Sequence, residues 1–133
     1  MALEYLAYAA AAFAQPTSDR PLCPLGGVQQ LRLYEIFENN KAALHDRFRD
    51  HTVRIMKRYG FNIIALWETN HKDRTELAYL LDWPDEATMK QAWAGFMADE
   101  EWARIKKEWT PVHGRAVGEI QDRTLRRTAY SEC

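Results

Sequence analysis

FNIIALWETNHKDRTELAYLLDW, residues 61–83, decides the fold. Its opening, Phe61 to Glu68, is an almost unbroken apolar run whose length and two isoleucines favour a central strand over a helix. Thr69 to Arg74 holds no apolar residue and reads as a hairpin loop. Glu76 to Trp83 then returns as the antiparallel partner.

Upstream, Gln30 to Phe37 (QLRLYEIF) carries two interleaved sets, Leu31, Leu33, Glu35 and Phe37 against Arg32, Tyr34 and Ile36. That is a strand with both faces occupied, and a face carrying Arg and Tyr looks into something enclosed. After the Asn39-Asn40 turn, Lys41 to Tyr59 places Leu44, Phe48, His51, Ile55 and Tyr59 on one helical stripe, with Gly60 where an αL C-cap calls for glycine. Downstream, Pro84 at the first helical position and the acids Asp85 and Glu86 open a helix that buries Met89, Trp93 and Phe96. Asp99 caps a further helix carrying Trp102, Ile105 and Trp109, which Pro111 and Gly114 stop, and residues 116–126 supply the last strand.

The order β-α-β-β-α-(α)-β is the split βαβ arrangement of a ferredoxin-like α+β fold, with a four-stranded antiparallel sheet covered by helices on one face. The bare face, lined by Trp, Tyr and Ile, has to meet a partner or enclose a ligand, which points to a homodimer joined through its sheet faces.

The chain has 133 residues, room for one domain, and 47% hydrophobic residues with five Trp, six Tyr and five Phe, enough to bury a core without staples. Residues 1–27 read as an N-terminal extension and linker, and 28–133 as the domain. Within the extension, residues 3–14 form an Ala-rich apolar run ending in Ala12-Phe13-Ala14, which imitates a signal cleavage site. Glu4 and two tyrosines count against that reading, and about a dozen residues do not span a bilayer. The expectation is a cytoplasmic protein without stable membrane insertion, with export as the alternative if residues 1–14 act as a signal.

A net charge of −1 lacks the electrostatic footprint of nucleic-acid binding. Arg123, Arg126 and Arg127 read as a solvated strand edge rather than an anion site. Cys23, in a Pro-flanked arm, and Cys133, at the last residue, are a poor basis for a disulfide framework. The four histidines show no metal-ligand spacing, and no nucleotide-loop or nucleophile-elbow motif is present, so neither a metal nor a cofactor is expected.

Candidate site residues follow from the strand faces and the helical stripe. Arg32 and Tyr34, two apart on one strand face, are either polar handles of a cavity or parts of an intersubunit or strand-edge charge pair. Trp67 and Tyr79 either stack on a flat ligand or form dimer core. His51, on an apolar stripe, is either a satisfied structural histidine or a polar group or general base at the cavity end.

LRLYEI, the helix with His51 ahead of KRYGF, ALWET, ELAYLLDWPD, AWAGFMADEEW and the closing LRRTAYS together resemble the NIPSNAP family over about residues 29–131. The resemblance implies a dimeric α+β barrel, in which two ferredoxin-like sheets face each other around a cavity. Relatives in the wider superfamily include cofactor-free monooxygenases acting on polycyclic aromatics, small isomerases and haem enzymes. The sequence departs from the family pattern where Arg127-Thr128-Ala129 replaces the usual Pro-Thr-Asp run. The functional expectation is a homodimer binding a small apolar or aromatic molecule in an apolar cavity between the sheet and its helices or the partner. The alternative is a cofactor-free monooxygenase or isomerase acting on an aromatic or ketone substrate, with His51 as base and Arg32 and Tyr34 steadying an enolate. Haem binding through His51 is a third possibility.

Overall fold

The computed structural model describes residues 23–133, so the run at 3–14 lies outside the described residues. In chain order the elements are β1 (Val28–Ile36), α1 (Lys41–Arg47), a π turn (Phe48–Thr52), α2 (Val53–Arg58), β2 (Asn62–His71), β3 (Arg74–Trp83), α3 (Glu86–Met97), α4 (Glu100–His113) and β4 (Ile120–Leu125). The four strands form one antiparallel sheet in the order β2-β3-β1-β4, the expected ferredoxin-like α+β topology, but β2, expected to be a central strand from its apolar run, lies at the edge and pairs only with β3. Among the described residues, no helix is long and apolar enough to cross a membrane.

Alternation along β1 and β3 divides the sheet into two chemistries. Tyr34 and Ile36 of β1 and Leu77, Tyr79, Leu81 and Trp83 of β3 join Leu44, Phe48, Ile55 and Phe96 from the helices in one core. Leu31, Leu33, Ala78 and Leu80 alternate to the opposite face, over which no helix among the described residues packs.

Several local expectations are corrected. The strands of the hairpin are longer than the apolar runs, because Thr69↔Glu76, Asn70↔Thr75 and His71↔Arg74 continue the ladder, leaving only Lys72 and Asp73 to turn, with Lys72 at φ 55°. Pro84 precedes the N-cap instead of taking the first helical position: Asp85 caps α3, accepting from the Thr88 amide at 2.7 Å. α4 runs through Pro111 to His113, since a proline in the last turn forfeits only one amide, and ends at Gly114. The last strand begins at Ile120, not 116, because Ala116 and Val117 pack against the core as a loop. Arg126 pairs with Glu86, Arg127 donates to the Gly26 carbonyl at 2.6 Å, and Arg123 donates to Gln121.

The most consequential correction is the π turn. A fully α-helical reading brings His51 onto the stripe of Leu44, Phe48 and Ile55. The wider turn at Phe48–Thr52 absorbs one more residue, so Thr52 takes the buried position, 1% exposed, and His51 faces solvent.

The helices lock to one another through carboxylates. Gly60, at φ 81°, closes α2 as expected, and Tyr59 just before it lies so close to Gly95 of α3 that an added Cβ there would stand 2.5 Å from its ring. The Tyr59 hydroxyl donates to Asp99 at 2.6 Å, and Asp99 also caps α4 by accepting from the Trp102 amide at 2.8 Å. One residue into that helix, Glu101 accepts from Arg54 at 2.9 Å and from Arg58. Hydrogen bonds from Tyr59 and Trp102 hold the Asp99 carboxyl below the ordinary range, and those from Arg54 and Arg58 bring Glu101 down to about 2. Depressed carboxylates stabilise the fold above their unfolded pKa and lose that contribution as pH falls through the folded value. Urea unfolding midpoints should therefore drop as pH falls from the ordinary glutamate value of 4.5 toward 2, and Glu101→Gln should make the drop shallower. An unchanged pH profile in that variant would contradict the clamp.

Cys23 and Cys133 form a disulfide, with Cα atoms 5.1 Å apart across 110 positions of sequence, contrary to the sequence reading. Linear distance hid the proximity: the arm runs alongside the end of β3, where the Gly26 amide donates to Asp82 at 2.9 Å, and Arg127 beyond β4 reaches back to the same glycine. In the chain-entropy account, closing a loop of this size constrains the unfolded chain by about 4–5 kcal/mol. Residues 126–133 are exposed and lie outside the sheet, so the reduced native state regains freedom there and the net loss is smaller. Reduction, or Cys133→Ser, should lower the denaturation midpoint while far-UV circular dichroism keeps its native form; an unchanged midpoint would show that the bridge constrains nothing.

Candidate functional site

Gln30, Arg32 and Tyr34 project from β1 toward the helices, and each is positioned by a neighbouring strand or helix. Gln30, 2% exposed, accepts from the indole N–H groups of Trp83 at 3.0 Å and Trp93 at 2.8 Å, and donates to Asp122 of β4 at 2.8 Å. Asp122, opposite Arg32 in the β1/β4 register, accepts from Arg32 Nη1 at 2.6 Å. The guanidinium of Arg32 lies 4.4 Å from the Trp93 ring centre and 5.1 Å from that of Tyr34, and its Nη2 donates to the Tyr34 hydroxyl at 2.8 Å.

Tyr34 and Tyr79 stand on adjacent strands with their hydroxyls 2.6 Å apart, and Arg32 Nε approaches the Tyr79 oxygen at 3.4 Å. Either hydroxyl can supply the shared proton. Burial, then the neighbouring Tyr34, pushes the Tyr79 phenol well above its ordinary pKa, so Tyr79 keeps its proton. With Tyr79 as donor, the Tyr34 oxygen accepts from both Tyr79 and Arg32, and its own proton is free for an oxygen in the space above.

That space is a cavity of about 280 Å³ between sheet and helices. Arg32, Tyr34 and Ile120 line it from the sheet; Arg47, Phe48, Thr52 and Met56 from the first helical arm; Trp93, Phe96 and Met97 from α3; Trp102, Lys106 and Thr110 from α4. Met97 and Ile120, 57% and 48% exposed, are its solvent-facing edge. Edge-to-face contacts of Phe48 with Tyr34 and Tyr79, at 6.2 and 5.9 Å, and the stacked pair Phe96–Trp102 at 5.1 Å stiffen the walls.

Of the residues singled out from sequence, Arg32 and Tyr34 line this cavity, and Tyr79 lies one layer behind, holding the Tyr34 hydroxyl. Trp67 is on the other face: it pairs with Ala78, one step out of phase with Tyr79, and is 51% exposed at the sheet edge. His51 is displaced by the π turn into solvent, where its Nδ1 lies 3.3 Å from Arg54, so it offers neither a base nor an axial ligand to the cavity. Of the two places expected for the enclosed space, between sheet and helices or between sheet and partner, this one lies between the sheet and the protein's own helices. Sequence reasoning missed Arg47 and Lys106. Arg47 sits three positions after Leu44 on the flank of the apolar stripe, where a long basic side chain usually snorkels outward. Among the described residues, no cluster of three or more His, Cys, Asp and Glu is arranged to hold a metal ion.

A ferredoxin-like α+β domain with a polar-floored cavity between sheet and helices is the class that these features define. The chain belongs to the NIPSNAP family, whose model matches residues 29–132. A NIPSNAP family protein from Agrobacterium tumefaciens is similar in structure, with a TM-score of 0.68 at 13% identity over 84% of this chain and 95% of that one. So is an uncharacterised NIPSNAP domain protein from Burkholderia xenovorans, with a TM-score of 0.65 at 13% identity over 78% and 97%. A Streptomyces coelicolor monooxygenase from the gene ActVA-Orf6, in complex with nanaomycin D, shares the fold with a TM-score of 0.52 at 11% identity over 82% and 94%. No curated protein matches the chain.

The hydroxyl pair sets a measurable asymmetry. Tyr79→Phe leaves Tyr34 bonded to Arg32 and should cost about 0.5–1.5 kcal/mol. Tyr34→Phe leaves the buried Tyr79 hydroxyl with only the long contact from Arg32 and should cost more, about 1–3 kcal/mol, with the double variant costing less than the sum. Denaturation curves of the three variants check this, and strict additivity would mean that the hydroxyls are not coupled.

Proposed function

We propose that this NIPSNAP protein is a homodimeric small-molecule-binding protein whose ligand occupies the cavity between sheet and helices, with Arg32 and Tyr34 as polar handles and Tyr79 setting the Tyr34 hydroxyl. The observation that carries the reading is the cavity itself. Small-molecule sites are mostly apolar spaces of roughly 300–1,000 Å³ with a few convergent polar groups, and this space, just below that range at about 280 Å³, has aromatic walls over an Arg–Tyr–Tyr floor. The homodimer reading is supported by the second sheet face, where Leu31, Leu33, Leu80 and the half-exposed Trp67 and Leu125 form an apolar surface over which no helix among the described residues packs.

The second reading is a cofactor-free monooxygenase or isomerase. The Tyr34 hydroxyl backed by Arg32 suits a developing enolate oxygen, and the fold shared with the Streptomyces monooxygenase is compatible with that use. Against it, no Asp, Glu, His or Cys lines the cavity to take a proton. Binding is therefore the first reading. For location, the Cys23–Cys133 bridge is of a kind that persists in oxidising compartments, which favours the export alternative over a cytoplasmic site.

Two measurements test the proposal. Light scattering at micromolar concentration should give a dimer, and Leu33→Arg, which puts a charge on the bare face, should give a folded monomer; a monomeric wild type would sink the dimer. A thermal-shift panel of small aromatic acids, ketones and phenols should stabilise the wild type but not Ala116→Trp, whose indole would intrude on the cavity. A ligand at a hundred times its Kd stabilises by about 2.7 kcal/mol. Equal shifts in both proteins would place binding elsewhere.

A further inference from the structure

Arg47 is 8% exposed, yet no carboxylate lies in salt-bridge range of it, and its Nε has no hydrogen-bond partner among the described residues. A guanidinium taken out of water without a counter-charge is among the costliest side chains a core can hold. Burial pushes its pKa down, with only Tyr34 acting in the other direction. Its contacts with the indole faces of Trp102 and Trp109, at 5.0 and 4.7 Å, account for where it lies but supply no acceptor for its N–H groups.

The other charged groups of the cavity have the same sign. Lys106, one turn along α4 from Trp102, has its Nζ 5.6 Å from that ring and makes no salt bridge among the described residues. Arg32 is the one cation of the lining with a carboxylate partner, Asp122, which itself lies outside the lining. Three cations and no acid thus surround a largely aromatic space, leaving two positive charges unmatched.

We infer that the cavity takes an anionic ligand, a small aromatic or aliphatic acid whose carboxylate is held by Arg47 and Lys106 while its apolar body lies among Trp93, Phe96 and Met56. The inference rests on the reading of this cavity as the ligand site and adds the charge of what fills it. The ligand carboxylate supplies the acceptor that Arg47 lacks, in charge-assisted hydrogen bonds, and with Tyr79 as donor of the hydroxyl pair the Tyr34 hydroxyl donates to a second oxygen.

The test compares 1-naphthoate with 1-naphthamide, near-isosteres that differ in charge, using quenching of the tryptophans that line the site. The wild type should bind naphthoate about ten- to a hundredfold more tightly than the amide. Arg47→Met should remove most of that preference while leaving amide affinity in place, and should raise the melting temperature of the ligand-free protein by removing an unmatched buried charge. Lys106→Met gives a second reading if the first variant folds poorly, and Arg104→Met on the outer surface of α4 should change nothing. Equal affinity of the wild type for acid and amide, blocked by Ala116→Trp, would overturn the anionic inference and leave the binding site standing. Failure of both probes to bind would overturn the inference together with the site. A preference for the acid that survives both Arg47→Met and Lys106→Met would overturn the assignment to these two cations.

Discussion

One buried amide holds this domain's layers in register. Gln30 has a single side-chain oxygen, and two tryptophans donate to it, one from β3 and one from α3; its amino group reaches Asp122 on β4. Each of those groups is costly to bury alone, by about 1–3 kcal/mol for an unsatisfied donor or acceptor. Satisfying all of them from one residue fixes α3 over the sheet and sets the side chain of Asp122 on β4. Asp122, so placed, fixes Arg32, and Arg32 in turn fixes Tyr34. The floor of the cavity is therefore an extension of the network that orients the sheet and helix layers.

The same logic explains how much of the molecule could be read from its residues. Periodicity reports which side chains leave water, and it located four strands, their order and the helices because burial is what it measures. The split βαβ topology followed from the hairpin at 61–83, but the place of its first strand did not: the apolar run that reads as a central strand is β2, at the sheet edge and largely exposed. Positions governed by particular hydrogen bonds were less legible. Asp85, not Pro84, begins α3 because its carboxylate reaches the Thr88 amide, and Asn40 begins α1 without capping it, its amide donating instead to the carbonyls of His113 and Arg115. The Cys23–Cys133 bridge depends on the arm and the tail meeting beside β3, which no local pattern encodes.

The site was legible in half its content for a definable reason. Arg32 and Tyr34 stand on a strand, where the period is fixed at two and a residue's face is certain once the strand is recognised. His51 and Arg47 stand on a helix, where a single wide turn rotates everything near it. The π turn at Phe48–Thr52 sends a histidine out and so removed a candidate from the cavity, while Arg47, in the regular turn before it, stays buried where amphipathicity would have placed it at the surface. Such turns weaken a helix, and they tend to persist where the rotated side chains have a use.

The uncompensated charge bears on stability as well as on specificity. A core chosen for stability alone would place a hydrocarbon at position 47, against Trp102 and Trp109, and would match Lys106 with an acid. The protein instead surrounds its cavity with aromatic faces, which tolerate a cation without neutralising it, and keeps carboxylates out of the lining, with the helix clamp at Asp99 and Glu101 and with Asp122 behind Arg32 lying outside it. An acid at the cavity would quench the attraction for an anion, whereas an indole leaves it intact. The division of labour is spatial: carboxylates where helices must be held together, π faces where a positive charge has to stay available.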